Sequence, residues 1–256
     1  MIDIHAHVLP AIDDGPADMD EALELVRAAA DDGVTTIVAT PHMLDGVYNA
    51  TRPAIFARLG ALKAALDEHG IPMTVLGGAD VHAEADLPDR LRAGELVTVA
   101  DRGKHLMIEL PADVMPSDLH RLFFAIQLQG VKPIISHPER NKAIQDDPGE
   151  VVPLVEAGCL TQVTAASILG RFGSQAETCA MTLFDCDLVH LVATDMHGVR
   201  SRRPRLAAAR DRMIGVIGRQ ETDRIIEQNA AAVVHGRHLQ VPDPIPVKPQ
   251  KKWFFW

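Results

Sequence analysis

Met1-Ile2-Asp3-Ile4-His5 is a β-branched apolar run, Met19–Asp32 carries Ala, Leu and charged residues at helical spacing up to Gly33, and Val34-Thr35-Thr36-Ile37-Val38-Ala39 is again β-rich. A strand, a helix and a second strand in that order form one βα unit and the start of the next. The same alternation continues along the chain. Apolar runs come at about residues 1–5, 34–39, 73–79, 105–110, 131–136, 158–164 and 188–194. Helical spacing fills Met19–Asp32, Ala54–His69, Asp118–Gln129, Glu150–Ala157, Ser174–Asp185 and Leu206–Ile217, with Gly33, Gly70, Gly130 and Gly158 just past helix ends. Strands separated by helices imply a parallel sheet, and seven or eight units can close into a barrel. The expectation is an α/β barrel in one domain, residues 1–238.

With 47% hydrophobic and only 4% aromatic residues, the core must be built from Ala, Val, Leu and Ile, which suits parallel strands covered by helices. A net charge of -10 argues against nucleic-acid binding, which needs a basic face. An anionic substrate remains open, because bound cations reverse the local field. Cys159, Cys179 and Cys186 form no Cys-x-x-Cys pair, which suits a reducing cytoplasm. A strand at the first residue leaves no room for a signal peptide, and no apolar run approaches the ~20 residues of a membrane span. The expectation is a soluble, cytoplasmic protein. A homo-oligomer is compatible with the pattern.

Residues 239–256 differ. Val241-Pro242-Asp243-Pro244-Ile245-Pro246-Val247-Lys248-Pro249 cannot propagate a helix or a central strand and reads as an extended linker. Lys251-Lys252-Trp253-Phe254-Phe255-Trp256 sets two lysines beside four aromatics, a combination suited to a peripheral membrane contact or a partner's groove. The plainer alternative is a frayed terminus or one packed on its own body.

Polar residues gather at the strand ends. His5 and His7 close the first strand, His42 follows Pro41, Asp80 ends the third strand, Glu109 the fourth, His137 the fifth, and Asp195 and His197 the seventh. In a parallel barrel these ends share one mouth, where active sites are built. His5 and His7, two apart on a strand, project to the same side and can serve one ion. Glu109 interrupts an apolar run where an unpaired carboxylate is costly to bury, so it needs a cation or a buried ion pair. Asp13-Asp14-Gly15-Pro16, taken alone, is a turn leading into a helix. Six strand ends supplying His, Asp or Glu point to a multinuclear site for divalent ions. Without a thiolate the candidates are Mn, Fe, Zn, Co or Mg, with Mn or Fe preferred.

These residues resemble the polymerase-and-histidinol-phosphatase (PHP) superfamily. Ile2-Asp3-Ile4-His5-Ala6-His7-Val8-Leu9-Pro10-Ala11-Ile12-Asp13-Asp14-Gly15-Pro16, Ala39-Thr40-Pro41-His42, Ser136-His137-Pro138-Glu139-Arg140 and Asp195-Met196-His197 look like its CpsB/CapC/YwqE branch of bacterial manganese-dependent protein-tyrosine phosphatases. The likeness implies a distorted (β/α)7 TIM-like barrel with two or three metals per chain. By it, His5, His7, Asp14, His42, Glu109, His137, Asp195 and His197 are metal ligands, and Asp80 stands where the family usually has Glu. Ala11 stands where the family commonly has Gly.

In such a site the ions lower the pKa of bound water, so that hydroxide attacks phosphorus at neutral pH. Arg140 faces the same mouth and can clamp phosphate with its planar fork of donors, with Arg202 the second candidate and Arg203 its competitor. Thiolate chemistry, which needs an Arg six residues after the Cys, has no support: Ala165, Asp185 and Val192 stand there. Phosphotyrosine comes from the resemblance alone. So does the expected partner, the tyrosine-rich tail of a membrane-associated bacterial tyrosine kinase controlling capsule or exopolysaccharide assembly. Histidinol-phosphate hydrolysis and a non-catalytic metal-binding scaffold are the alternatives; the acidic charge disfavours an exonuclease.

Overall fold

The structure, a computed structural model, describes residues 1–44, 46–48 and 50–247. The basic and aromatic tail from Lys251 lies outside the described residues. Nine short strands are described: β1 (Ile2–Ala6), β2 (Thr36–Ala39), β3 (His42–Met43), β4 (Thr74–Gly77), β5 (Asp80–His82), β6 (His105–Glu109), β7 (Lys132–Ser136), β8 (Leu160–Thr164) and β9 (Leu191–Ala193). All pairings between them are parallel. They run as β1-β2-β4 and β3-β5-β6-β7-β8-β9.

The two sheets are one barrel. β2 and β3 are a single stave broken at Thr40-Pro41, and β4 and β5 a single stave broken at Gly78-Ala79. Proline has no N–H for the ladder, which accounts for the first break. The second needs glycine, because a Cβ on Gly78 would lie 2.8 Å from Val38 Cγ1. Across the breaks Gly78 N–H donates to Ala39 O (2.8 Å) and Asp80 N–H to Pro41 O (3.1 Å). The ring closes where Asp195 N–H donates to His5 O (2.8 Å) and His7 N–H to Met196 O (2.9 Å). This is the expected α/β barrel of seven staves, distorted at the two broken ones.

Two cores hold it. Ile4, Val38, Met107, Ile134, Leu160 and Leu191 are fully buried inside the ring, each removing apolar surface worth about 1.5–3 kcal/mol. Ala230, Val233 and Val234 pack into that same cluster and plug the ring. The plug ends a helical run, Arg219–Asp223, Arg224–Asn229 in π geometry and Ala230–Val234, that the sequence pattern did not reveal. Outward-facing Ile37, Val75, Leu106, Ile135 and Val163 pack under the helices. Met19–Asp31 is capped by Asp18, whose carboxylate accepts from Glu21 N–H (3.0 Å). Ser174–Asp185 and Leu206–Ile217 have the expected bounds. Only Val152–Glu156 of the expected Glu150–Ala157 helix is α-helical, following a 3-10 turn at Pro148–Val151, as prolines at 148 and 153 favour helix starts.

The segment read as a linker has no helix or strand through residue 247, yet it lies on the barrel. Leu239 is buried, Val241 and Val247 pack against the two cores, and Ile245 N–H donates to Cys186 O (2.9 Å).

Candidate metal centre

Each stave delivers its polar residue to the same end of the ring. The pairing of β1 with β2 shifts register between Asp3 and Ala6, so Ile4 stays with the inner core while His5 and His7 both turn toward the mouth. His137 (φ +32°) and Asp195 (φ +51°) sit in the left-handed region just past their strands. That conformation costs non-glycine residues of order 1–3 kcal/mol and aims both side chains inward.

Every expected ligand arrives in one cluster. His5 Nε2 is 3.3 Å from His7 Nε2, and 3.5 Å from both Asp80 Oδ2 and Asp195 Oδ1. His7 Nε2 is 3.4 Å from Asp195 Oδ1. His137 Nε2 lies 3.9 Å from Asp80 Oδ2 and 3.5 Å from Glu109 Oε1. His42 stands between neighbours, Nδ1 3.3 Å from Glu109 Oε2 and Nε2 3.7 Å from Asp14 Oδ1. His197 Nε2 is 3.2 Å from Asp14 Oδ1. Among the described residues, ligand atoms therefore converge in overlapping groups: His5–His7–Asp195, His5–Asp80–His137, His42–Asp80–Glu109 and His7–Asp14–His42–His197.

The donor set fits divalent cations. Asp80 Oδ2 and Asp195 Oδ1 are buried without a hydrogen-bond partner, although each faces several imidazoles. Leaving buried carboxylate oxygens unpartnered is expensive, and a cation removes the cost. Asp80, one methylene shorter than the family's usual Glu, still reaches three histidines, helped by Ser136 Oγ–H, which donates to its other oxygen (3.0 Å). Without a cation, burial and the charge of Glu109 raise the Asp80 carboxyl well above the ordinary range. Burial also lowers His5 far below the usual imidazole value and His137 to about 4, keeping lone pairs available. Burial works against Asp195 ionising, but His5, His7 and Arg202 outweigh it and hold that carboxyl far below normal.

A further layer fixes which imidazole nitrogen faces the cluster. His5 Nδ1–H donates to Gln162 Oε1 (2.7 Å), His7 Nδ1–H to Asp13 Oδ2 (2.6 Å) and His197 Nδ1–H to Asp195 O (3.0 Å), so all three turn Nε2 inward. Asp13 also accepts from His42 N–H (3.1 Å) and Gly15 N–H (3.0 Å). Burial lowers His7, yet Asp13 and Asp195 push it up to about 10 in the absence of a cation.

Asp13 and Gln162 carried no motif of their own. Asp13 read as a turn residue, and Gln162 is the polar interruption of Leu160-Thr161-Gln162-Val163, the signal that exposed Glu109. His82 Nδ1, 3.9 Å from Glu109 Oε2, and Tyr48, stacked 5.7 Å from the His42 ring, are further neighbours that sequence spacing did not mark.

Arg140 Nη1 donates to Asp195 Oδ2 (2.6 Å), and its guanidinium lies 4.5 Å over the Phe172 ring. Arg202 donates to the same oxygen and, through Nη1, to His197 Nε2 (2.8 Å). Arg203 is exposed, whereas Arg202 is the one of the two that meets Asp195 and His197. Burial pushes the Cys159 and Cys179 thiols up to about 12, leaving no thiolate nucleophile there.

Over residues 1–235 the chain matches the family model for capsular polysaccharide synthesis, CpsB/CapC. It belongs to that family. It is 35% identical to the tyrosine-protein phosphatase YwqE of Bacillus subtilis over the full length of both chains, and 31% identical to CapC of Staphylococcus aureus over 99% of each. Its fold superposes with TM-score 0.94 and 34% identity on a solved structure described among YwqE from Bacillus subtilis and CpsB from Streptococcus pneumoniae, unique metal-dependent tyrosine phosphatases, covering 97% of this chain and 100% of that one. The clusters described above are thus candidate divalent-metal sites in a CpsB/CapC-family barrel. Among the described residues no helix is long and apolar enough to cross a membrane.

Proposed function

We propose that this chain is a metal-dependent protein-tyrosine phosphatase whose ligands are His5, His7, Asp14, His42, Asp80, Glu109, His137, Asp195 and His197. Two or three ions fit the overlapping groups, and Mn suits a mixed imidazole and carboxylate set. The observation that carries the reading is the meeting of the unpartnered Asp80 Oδ2 and Asp195 Oδ1 with five imidazoles at one barrel mouth, with two guanidinium groups beside them. These residues would hold divalent ions, whose chemistry when bound would be to supply an activated water and to offset charge on phosphoryl oxygens.

The chain's own residues do the rest. Gln162 and Asp13 hold His5 and His7 in the required tautomer. Arg140 and Arg202, each about a quarter exposed, approach from the open side, where planar forks suit phosphate oxygens. The kinship to named tyrosine phosphatases supports phosphotyrosine, and the capsule-synthesis family supports the tail of a bacterial tyrosine kinase in the cytoplasm as its bearer. We assign the catalytic unit to residues 1–238, with residues 239–247 packed on it, and infer that the basic and aromatic residues 251–256 serve contact with a partner or membrane surface.

The test compares kcat/KM of the Mn-loaded protein on a phosphotyrosyl peptide and on histidinol phosphate, with His5→Ala beside it. The peptide is expected to be preferred and His5→Ala to lose at least ~100-fold, since a ligand and its ion both go. Equal or inverted preference, with His5→Ala unaffected, overturns the proposal.

A further inference from the structure

Beside the metal centre lies a cleft of about 800 Å³ whose floor is Met43, Tyr48 and Ala50 and whose walls include Arg52, Asp86 and Arg90. It adjoins the site through Tyr48. Met43 directly follows the ligand His42 on β3, and the Tyr48 ring, from the single tyrosine of the chain, lies nearly parallel to the His42 ring (16°, 5.7 Å between centroids). Tyr48 therefore borders both the metal centre and the cleft.

The chemistry of the cleft differs from that of a phosphate site. Arg52 is bidentate on Asp101 (2.8 and 2.6 Å) and also donates to Leu96 O (3.2 Å). Arg90 is engaged by Glu84 (3.3 Å) and Glu95 (3.7 Å). With both cations matched by carboxylates, Met43, Tyr48, Ala50 and Pro53 give the lining its apolar character. Val47 in the same loop is 61% exposed and extends that apolar character to solvent. A cleft of this size exceeds what one aryl phosphate needs and lies within the range of pockets that bind larger ligands.

We infer that the cleft is a peptide subsite, seating an apolar side chain adjacent to phosphotyrosine in a protein substrate, with the Tyr48 ring packing on the edge of the substrate's aryl group. The inference rests on the phosphotyrosine reading. It makes the protein selective for sequence around the phosphorylated residue as well as for the ester itself.

Two phosphotyrosyl peptides that differ only in carrying Leu or Gly on both sides of the phosphotyrosine test it. Both are assayed for kcat/KM with the Mn-loaded full chain, and their difluorophosphonate analogues, which cannot be cleaved, for Kd by fluorescence anisotropy. The Leu peptide is expected to be favoured about tenfold in both readouts, the scale of burying part of one leucine. Tyr48→Ala, and Asp86→Trp at the exposed rim, are expected to bring that preference within twofold. A variant that fails to fold is recognised by its circular dichroism and leaves the other to decide. Equal use of the two peptides by the unaltered protein, or a preference that survives in the folded variants, overturns the subsite and leaves the phosphotyrosine reading standing. If neither peptide nor p-nitrophenyl phosphate is hydrolysed, both readings fall.

Discussion

Asp13→Asn tests whether the layer behind the ligands tunes the metal site. The Asp13 carboxylate accepts three hydrogen bonds, from His7 Nδ1–H at 2.6 Å, His42 N–H at 3.1 Å and Gly15 N–H at 3.0 Å. An amide in the same place has one acceptor oxygen. If that oxygen faces His7 and His42, the NH2 group meets Gly15 N–H; if it faces Gly15, the NH2 group meets His7. Either way one donor is opposed by a donor, and the negative charge that makes the His7 imidazole a stronger base is gone. A hydrogen bond to a charged group contributes about 1.5–3 kcal/mol. Outer partners of ligating histidines are worth 10–100-fold in metal affinity, or about 1.4–2.8 kcal/mol, so two routes agree. Titration calorimetry of Mn into the metal-stripped protein is the assay. Asp18→Ala is the control, because it removes a helix cap and about 1 kcal/mol of stability without touching the cluster. Mn affinity for Asp13→Asn within twofold of the unaltered chain, or an equal loss in Asp18→Ala, would refute the reasoning.

Arg140→Lys replaces a fork by a point charge and is expected to lower kcat/KM for a phosphotyrosyl peptide at least tenfold, while Phe172→Ala, which removes the ring under the guanidinium, loses about fivefold, equivalent to roughly 1 kcal/mol of cation–π contact; unchanged kinetics in both would show that Arg140 does not meet substrate. His190 is fully buried away from the cluster and burial lowers it to about 3. Because the unfolded chain binds that proton from about pH 6.5 downward and the folded chain does not, the stabilisation is complete above pH 6.5 and is lost as pH falls toward 3, by about 2 kcal/mol between pH 6.5 and 5. Urea midpoints of the metal-free protein at pH 7 and 5 check this, with His190→Gln expected to flatten the difference and an unaltered slope counting against it. Ala11 has φ +53°, so Ala11→Gly is expected to raise stability by up to ~1 kcal/mol, read as a higher Tm; a lower Tm would mean that the lost unfolded-chain restriction outweighs the relieved strain.

The primary structure by itself determined the seven β-rich runs, most of the helices between them and the proposed ligands at strand ends, while Asp14, a turn residue by its own pattern, joined the ligand set through the family resemblance. Those signals are local: β-branched apolar runs, helical spacing and glycine stops act over a few residues, and unpartnered carboxylates or histidines at strand ends are conspicuous against apolar surroundings. Asp80 is an instructive case, since its residue type alone left open whether a shorter side chain could reach. The barrel answers this by bringing β5 beside β6 and placing Oδ2 within 4 Å of His5, His42 and His137. Asp13, Gln162, Phe172 and Tyr48 gained their roles only in three dimensions, because each acts on a residue of another element and a hydrogen bond or ring contact across a barrel leaves no periodic trace. The same holds for the plug Ala230–Val234, buried against distant strands, and for Pro242–Val247, which Val247 and a hydrogen bond from Ile245 N–H to Cys186 O tie to the barrel although its composition reads as linker. Local chemistry therefore marked the strand-end candidates, and closure of the ring decided which oxygen and which imidazole nitrogen each one presents.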